Sequence, residues 1–146
     1  MPRLLVVHHT PSPNLQAVLE AVKEGIALVE EVEPVLRPAL SAGAADVLAA
    51  DGILLGTTAN IGYMSGALKH FFDTVYYPCL DATVGLPYGV YVHGGDDTAG
   101  ALGAIERITG ALRWKQVAAP LSLTGTPGRA ELDACRELAA TVAVSL

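Results

Sequence analysis

Short apolar runs alternate along the whole chain with stretches whose apolar residues recur at helical spacing. The runs are LLVVH (Leu4 to His8), VEPVLRPAL (Val32 to Leu40), GILLGT (Gly52 to Thr57), YGVYVHG (Tyr88 to Gly94) and APLSLTG (Ala119 to Gly125). Continuous apolar runs of this length, bounded by turn residues, read as strands buried on both faces. Between them, Leu15, Val18, Leu19, Val22 and Ile26 share one helical face, as do Leu68, Phe71, Phe72 and Val75. Leu102, Ile105, Ile108 and Leu112 make a third such face, and Leu132, Cys135, Leu138 and Val142 a last one. A short helix is expected through Asp46 to Ala49. Strand and helix in regular alternation predict βαβ units, and so an α/β three-layer sandwich with a five-stranded parallel sheet between two layers of helices.

Prolines order the strands. Proline cannot donate to a sheet ladder and is confined largely to edge strands and strand beginnings. Pro34 and Pro38 fall in the second run and Pro120 in the fifth, while the first, third and fourth runs carry none. That distribution suits the doubly wound order 2-1-3-4-5, with strands 2 and 5 at the edges. Ligands of such sheets bind beside the carboxyl ends of strands 1 and 3, where the topology reverses.

A chain of 146 residues that is 51% apolar has the size of one domain, spanning residues 1–146, and can bury one continuous core. The net charge is −6 and the nine Lys and Arg residues are scattered, which argues against nucleic acid or an anionic membrane surface as partner. No apolar run approaches the ~20 residues that span a bilayer. The first residues read as a buried strand rather than a signal peptide. Cys79 and Cys135 stand far apart, without zinc-site spacing, which favours a reducing, cytoplasmic compartment.

Candidate chemistry gathers in three loops at the predicted carboxyl edge. The first, HHTPSPN (His8 to Asn14), leads into a helix, and Thr10, Ser12 and Asn14 can hold a phosphate at its N-terminus. A plain N-cap role for Ser12 or Asn14 is the other reading. Pro11 and Pro13 remove two N–H donors, and no GxGxxG is present. The second loop, TTANIGYMSG (Thr57 to Gly66), is long for its position, with Gly62 free to approach a planar ligand and Ser65 placed to cap the next helix. The third, VHGGDDTAG (Val92 to Gly100), bends at two glycines, and Asp97 or Thr98 is expected to cap the helix that follows.

The segment GTTANIGYMSGALKHFFDTV (Gly56 to Val75) resembles the corresponding stretch of the flavodoxin-like NAD(P)H:quinone oxidoreductases and FMN reductases, including the tryptophan-repressor-binding-protein-like group. HGGDD (His93 to Asp97) resembles their fourth-strand loop. The resemblance implies a single flavodoxin-like domain that binds FMN. Carried over by position, it places Thr10, Ser12, Asn14 and Leu15 around the phosphate. Thr58, Ala59, Asn60, Ile61 and Gly62 would flank the ribityl chain and ring, with His93, Gly94 and Gly95 at the other ring edge. Two positions depart from the family: Asn60 stands where arginine is usual and Ile61 where an aromatic residue is usual.

A flavin carries its own redox chemistry, so no catalytic side chain is required; Asp81, Asp96 and Asp97 form no recognisable metal-ligand spacing, so no metal is expected. The main expectation is an oxidoreductase that passes hydride from NAD(P)H to FMN and electrons onward to a quinone or other small acceptor, with Tyr63, Tyr76 and Tyr77 in the substrate pocket. The segment Asp73 to Gly85, with its YYP, is expected to wall that pocket, from the same chain or from a neighbouring subunit, and a homo-oligomer is a family expectation. The alternatives are a non-enzymatic electron carrier of the flavodoxin type and a flavodoxin-like domain that no longer binds flavin. His8, His9, Cys79 and Trp114 are assigned structural roles, since no carboxylate or activating partner is evident beside them.

Overall fold

The computed structural model describes residues 1–146. Its chain order is β1 (Arg3–His8), α1 (Pro13–Ala27), β2 (Glu33–Pro38), α2 (Ala44–Leu48), β3 (Gly52–Asn60), β4 (Tyr63–Met64), α3 (Gly66–Cys79), β5 (Pro87–Gly94), α4 (Ala99–Ala111), β6 (Lys115–Gln116), β7 (Leu121–Thr124) and α5 (Arg129–Val144). The main strands are parallel in the order β2-β1-β3-β5, and β6 and β7 both extend the sheet beyond β5. This is the expected 2-1-3-4-5 order, with the fifth position split in two. The split follows from Pro120: it has no N–H to donate, so the edge detaches from the ladder between Gln116 and Leu121. Val117 N–H still donates to the Tyr88 carbonyl at 3.0 Å and holds the detour against the sheet.

Burial follows the alternation of side chains along the strands. Leu5, Val7, Ile53, Leu55, Val90 and Val92 face one side, where Leu68, Phe71, Phe72, Val75 and Ile105 of α3 and α4 cover them. Leu4, Val6, Leu54 and Tyr91 face the other, under Leu15, Val18 and Val22 of α1 and Cys135, Leu138 and Val142 of α5. Each such side chain contributes about 1.5–3 kcal/mol by leaving water, and together they oppose the conformational entropy of the chain. The proline-bearing β2 is exposed or half-buried along its length, as an edge strand should be. Trp114 is buried beside Phe72 and Tyr88, and its indole N–H donates to Thr83 Oγ1 at 2.8 Å.

Tyr91 fixes a detail of the sheet near its carboxyl edge. Its ring lies across Gly56 on the neighbouring strand, so closely that a Cβ on Gly56 would stand 2.0 Å from the ring carbon that bears the hydroxyl. Only glycine leaves room for that ring. The Tyr91 hydroxyl is buried without a hydrogen-bond partner, and burial pushes its ionisation well above the ordinary tyrosine value.

Candidate functional site

Parallel strands bring their carboxyl ends to one edge, and the three loops singled out in the sequence meet there. His9 N–H donates to the Gly56 carbonyl at 2.9 Å, which ties the first loop to the end of β3. Thr58 pairs with His93 across the β3–β5 ladder. Ala59 then packs against Gly94, where a Cβ would stand 3.2 Å from the alanine methyl.

The first loop is built by its own polar side chains. Ser12 is the N-cap of α1, with its Oγ accepting from Leu15 N–H at 3.3 Å and Pro13 opening the helix. Capping uses the oxygen as acceptor and leaves the hydroxyl hydrogen free, so cap and anion-binding roles coexist in one residue. Thr10 Oγ1 lies 2.7 Å from Nδ1 of His8. Asn14 is half-buried in the first helical turn, whose N–H groups have no intrahelical acceptor. Leu15 contributes differently from the polar three: its side chain is core and its N–H is already taken by Ser12. His8, His9 and Thr10 line a recess of about 230 Å³ with Pro38, Ala39, Leu40 and Ala67.

Burial, and secondarily His9, hold the His8 imidazole below the usual histidine value. The sign of the linkage follows. The unfolded chain takes up the His8 proton at a higher pH than the folded one, so folded stability declines as pH falls from about 6.5 toward the lowered folded value. We expect the thermal midpoint to drop between pH 7.5 and 5.5 by more in the native protein than in His8→Gln. Equal drops in the two would remove His8 as the source.

The second loop contains a hairpin that the sequence reading missed. β3 turns back through Ile61 and Gly62 into β4, with Ala59 paired to Met64 and Asn60 to Tyr63. Both turn residues have positive φ, 51° at Ile61 and 72° at Gly62, as the tight two-residue turn of type I′ requires. Asn-Gly is the usual sequence for it, and the isoleucine between Asn60 and Gly62 hides the signal. The hairpin rests on α4: a Cβ on Gly100 would stand 2.0 Å from the Gly62 carbonyl oxygen. Below the hairpin, Thr57 Oγ1 lies 2.8 Å from Ser65 Oγ, and Ser65 caps α3 by accepting from Leu68 N–H at 3.1 Å. Thr58 Oγ1, on the face shared with Leu54 and the α1 side, is buried without a partner.

In the third loop Asp97 Oδ1 accepts from Ala99 N–H at 2.9 Å, while the Thr98 hydroxyl, 2.5 Å from Ser122 Oγ, turns to the edge strand instead of capping. His93 Nε2 lies 2.7 Å from the Gly125 carbonyl; a carbonyl only accepts, so Nε2 carries the hydrogen. Its imidazole therefore anchors the loop to the end of β7. Gly95 is exposed, with open space where a Cβ would stand.

One expectation is corrected by the geometry. Tyr63 stands at the base of the hairpin, but Tyr76 and Tyr77 do not join it. They lie ten positions into α3 from Gly66, about 15 Å along the helix from the loop edge, in a groove with Phe72, Asp73 and Ile108. The stretch read as a pocket wall is helical through Cys79 because Pro78 falls near the helix end, where its missing N–H and ring are tolerated. Cys79 and Cys135 are buried free thiols raised above the ordinary value by desolvation, Cys135 to about 11. Another concavity, of about 250 Å³, lies between β1, β2 and α2, bounded by the Arg3–Glu33 and Arg37–Asp46 pairs, and none of the three loops reaches it. No group of three or more His, Cys, Asp or Glu side chains is arranged to hold a metal ion, and no helix is long and apolar enough to cross a membrane.

A doubly wound sandwich whose loops meet at the topological switch point defines a class, and comparison with known proteins places the fold within it. No family model matches the sequence. The chain is 37% identical over 75 residues to a flavodoxin of Aquifex aeolicus, a match that takes in 51% of this chain and 40% of that relative. It thus spans under half of the curated relative's length. Among solved structures, an archaeal flavodoxin superposes with a TM-score of 0.85 at 19% identity, over 98% of this chain and 97% of that one. A flavodoxin, WrbA-like protein from Agrobacterium tumefaciens superposes with a TM-score of 0.76 at 19% identity, over 99% and 96% of the two chains. The fold is flavodoxin-like.

Proposed function

We propose that this chain is an FMN-binding protein of the flavodoxin type that carries electrons between other redox partners. The observation that carries the reading is the convergence of a capped helix N-terminus, a strained hairpin and a glycine-rich turn at one edge of a flavodoxin-like sheet. The likeness to the Aquifex flavodoxin supports it.

The residues at that edge suit the cofactor. Thr10, Ser12 and Asn14, with the backbone N–H of Asn14 left over once Pro13 lacks one and Ser12 holds that of Leu15, offer neutral donors to a phosphate, favoured further by the helix dipole. The unpartnered Thr58 hydroxyl is a buried donor in want of an acceptor, a role that a polar chain or ring oxygen fills. Asn60, Ile61 and Gly62 on one side and Gly94 and Gly95 on the other would bracket the ring, with His93 holding its loop in place through Gly125. FMN bound there supplies electron storage and transfer; the chain supplies position, hydrogen bonds and exclusion of water.

The finer reading, a reductase taking hydride from NAD(P)H for a quinone, rests on the likeness of Gly56 to Val75 and His93 to Asp97 to that group. The WrbA-like neighbour is the structural observation on its side. Against it, Tyr76 and Tyr77 stand far from the loop edge, which leaves Tyr63 as the aromatic side chain of the assigned pocket near the ring position.

Titration with FMN and with riboflavin tests the proposal. Saturable binding of FMN, at least about tenfold tighter than riboflavin, is expected from a site that grips the phosphate, since tenfold corresponds to about 1.4 kcal/mol. Ser12→Ala with Asn14→Ala should erase that preference. The lost cap also costs about 1 kcal/mol of stability, which circular dichroism separates from lost binding. Absence of binding by either flavin would overturn the reading in favour of a flavodoxin-like domain with another ligand. With FMN bound, saturable NAD(P)H-dependent quinone reduction would favour the reductase, and turnover no faster than free FMN the carrier.

A further inference from the structure

None of the three loops carries a Lys or Arg. A phosphate monoester brings about −1.5 to −2 charge near neutral pH, and within these loops only histidine can answer it with a full positive charge. His93 is already committed through Nε2–H to the Gly125 carbonyl. His8 is the histidine joined to a polar side chain of the first loop, its Nδ1 lying 2.7 Å from Thr10 Oγ1, and both residues line the same recess.

The direction of that hydrogen bond decides what Thr10 can offer. In a neutral ring with its hydrogen on Nε2, Nδ1 accepts, and the Thr10 hydroxyl spends its hydrogen on His8. When Nδ1 carries a hydrogen, as it does in the cation, it donates to Oγ1 and frees the Thr10 hydrogen for another acceptor. An ionised phosphate oxygen accepts, so it selects the second arrangement.

We propose that His8 is a positioning residue for the phosphate group: Nδ1–H holds Thr10 Oγ1 with the hydroxyl hydrogen released to the phosphate, and the protonated ring balances the phosphate charge. The proposal rests on the FMN reading and adds to it the residue that sets the preference for a phosphate ester over riboflavin. Binding and protonation are then reciprocal: the phosphate raises the proton affinity of His8 by the factor by which the proton raises that of the site for phosphate.

The other groups around the pair leave this coupling to His8. His9 follows it in the loop, and β2 sets Pro38 beside it, with Arg37 one place back and paired to Asp46 of α2. β3 presents Gly56, and beyond it β5 presents Tyr91, close to Cys135 of α5. α1 carries no charged side chain before Glu20, and Arg129 and Glu131 open α5 in exposed positions. α3 meets the recess through Ala67, ahead of His70 and of Lys69, which is paired to Asp73. Burial and the His9 charge disfavour the cation in the free protein, so phosphate has a proton uptake to drive.

NMR titration of the imidazole carbon-bound protons reads the His8 ionisation directly in the native protein. Saturating FMN is expected to raise its midpoint by about one pH unit, and riboflavin to leave it in place. Thr10→Val, checked for folding by circular dichroism, should lose about half of that rise or more, because the hydroxyl that links ring to phosphate is gone. By linkage, the FMN affinity of the native protein relative to His8→Gln should grow about fivefold between pH 7.5 and 5.5, a ratio in which the ionisation of the FMN phosphate itself cancels. A midpoint that FMN does not move, a rise of equal size with riboflavin, an equal rise in Thr10→Val, or a flat affinity ratio each overturns the assignment. Failure of the FMN reading shows separately, as no FMN binding in the titration. Inorganic phosphate is then the probe, against chloride at equal ionic strength: a rise with phosphate that Thr10→Val loses supports the pair, and no rise overturns it.

Discussion

Gly100→Val is expected to weaken FMN binding by about ten- to a hundredfold while leaving the sheet folded. A Cβ at Gly100 would stand 2.0 Å from the Gly62 carbonyl oxygen and 2.8 Å from its carbon. Both are backbone atoms, so no rotamer relieves the overlap. Either the first turn of α4 moves or the hairpin does. α4 is held by Ala101 and Ile105 in the core, whereas the hairpin beyond Asn60 is joined to the sheet by the two residue pairs of β3 and β4. The hairpin should therefore swing away, carrying Ile61 and Gly62 from the side of Gly94 and Gly95. Overpacking of this kind costs about 1–3 kcal/mol, and expressed at the site it gives the stated loss at about 1.4 kcal/mol per tenfold. Fluorescence titration with FMN measures the affinity and circular dichroism the fold. Unchanged affinity would mean that the hairpin does not contribute to the flavin site.

That contact also marks where sequence reasoning stopped. The parallel sheet, its order and its edges were legible because they depend on local patterns: unbroken apolar runs for strands buried on both faces, and prolines at 34, 38 and 120 that no central strand accommodates. The three loops followed from the same topology, and so did the Ser65 cap. What was not legible depends on pairs distant in sequence or on chemistry that breaks a local rule. The β4 hairpin was hidden because Ile61 occupies a position where its own propensity argues against the turn. Tyr76 and Tyr77 were drawn to the site by their aromatic character, although the helical spacing of Leu68, Phe71, Phe72 and Val75 already ran through to them. Gly100 gave no sign of its role, because a glycine in a first helical turn reads as permissive until Gly62 is known to lie against it. Thr58 was assigned to the cofactor by resemblance, and its unpartnered buried hydroxyl adds a physical reason that only coordinates supply.

Two helical glycines, changed to the same residue, should move stability in opposite directions. Glycine within a helix costs about 1 kcal/mol relative to alanine, so replacement by alanine is stabilising wherever the methyl group has room. Gly103 on α4 is exposed and meets nothing within 4 Å, and Gly103→Ala should raise the thermal midpoint by a few degrees, in line with about 0.5–1 kcal/mol. Gly25 on α1 is buried against α5, where a Cβ would stand 2.3 Å from the Arg136 carbonyl oxygen and 2.9 Å from the Ala139 methyl. The same methyl there must push two packed helices apart. Val18, Val22 and Ile26 of α1 share that interface with Leu138 and Val142 of α5, so the separation loosens the whole cluster on this side of the sheet. At about 3 kcal/mol or more, the steric cost outweighs the helical gain, and Gly25→Ala should lower the midpoint by roughly ten degrees. Thermal unfolding of the two variants beside the native protein decides it: a rise in both would mean that α1 and α5 have slack to separate, and that the tight crossing at Gly25 does not set the packing of this face.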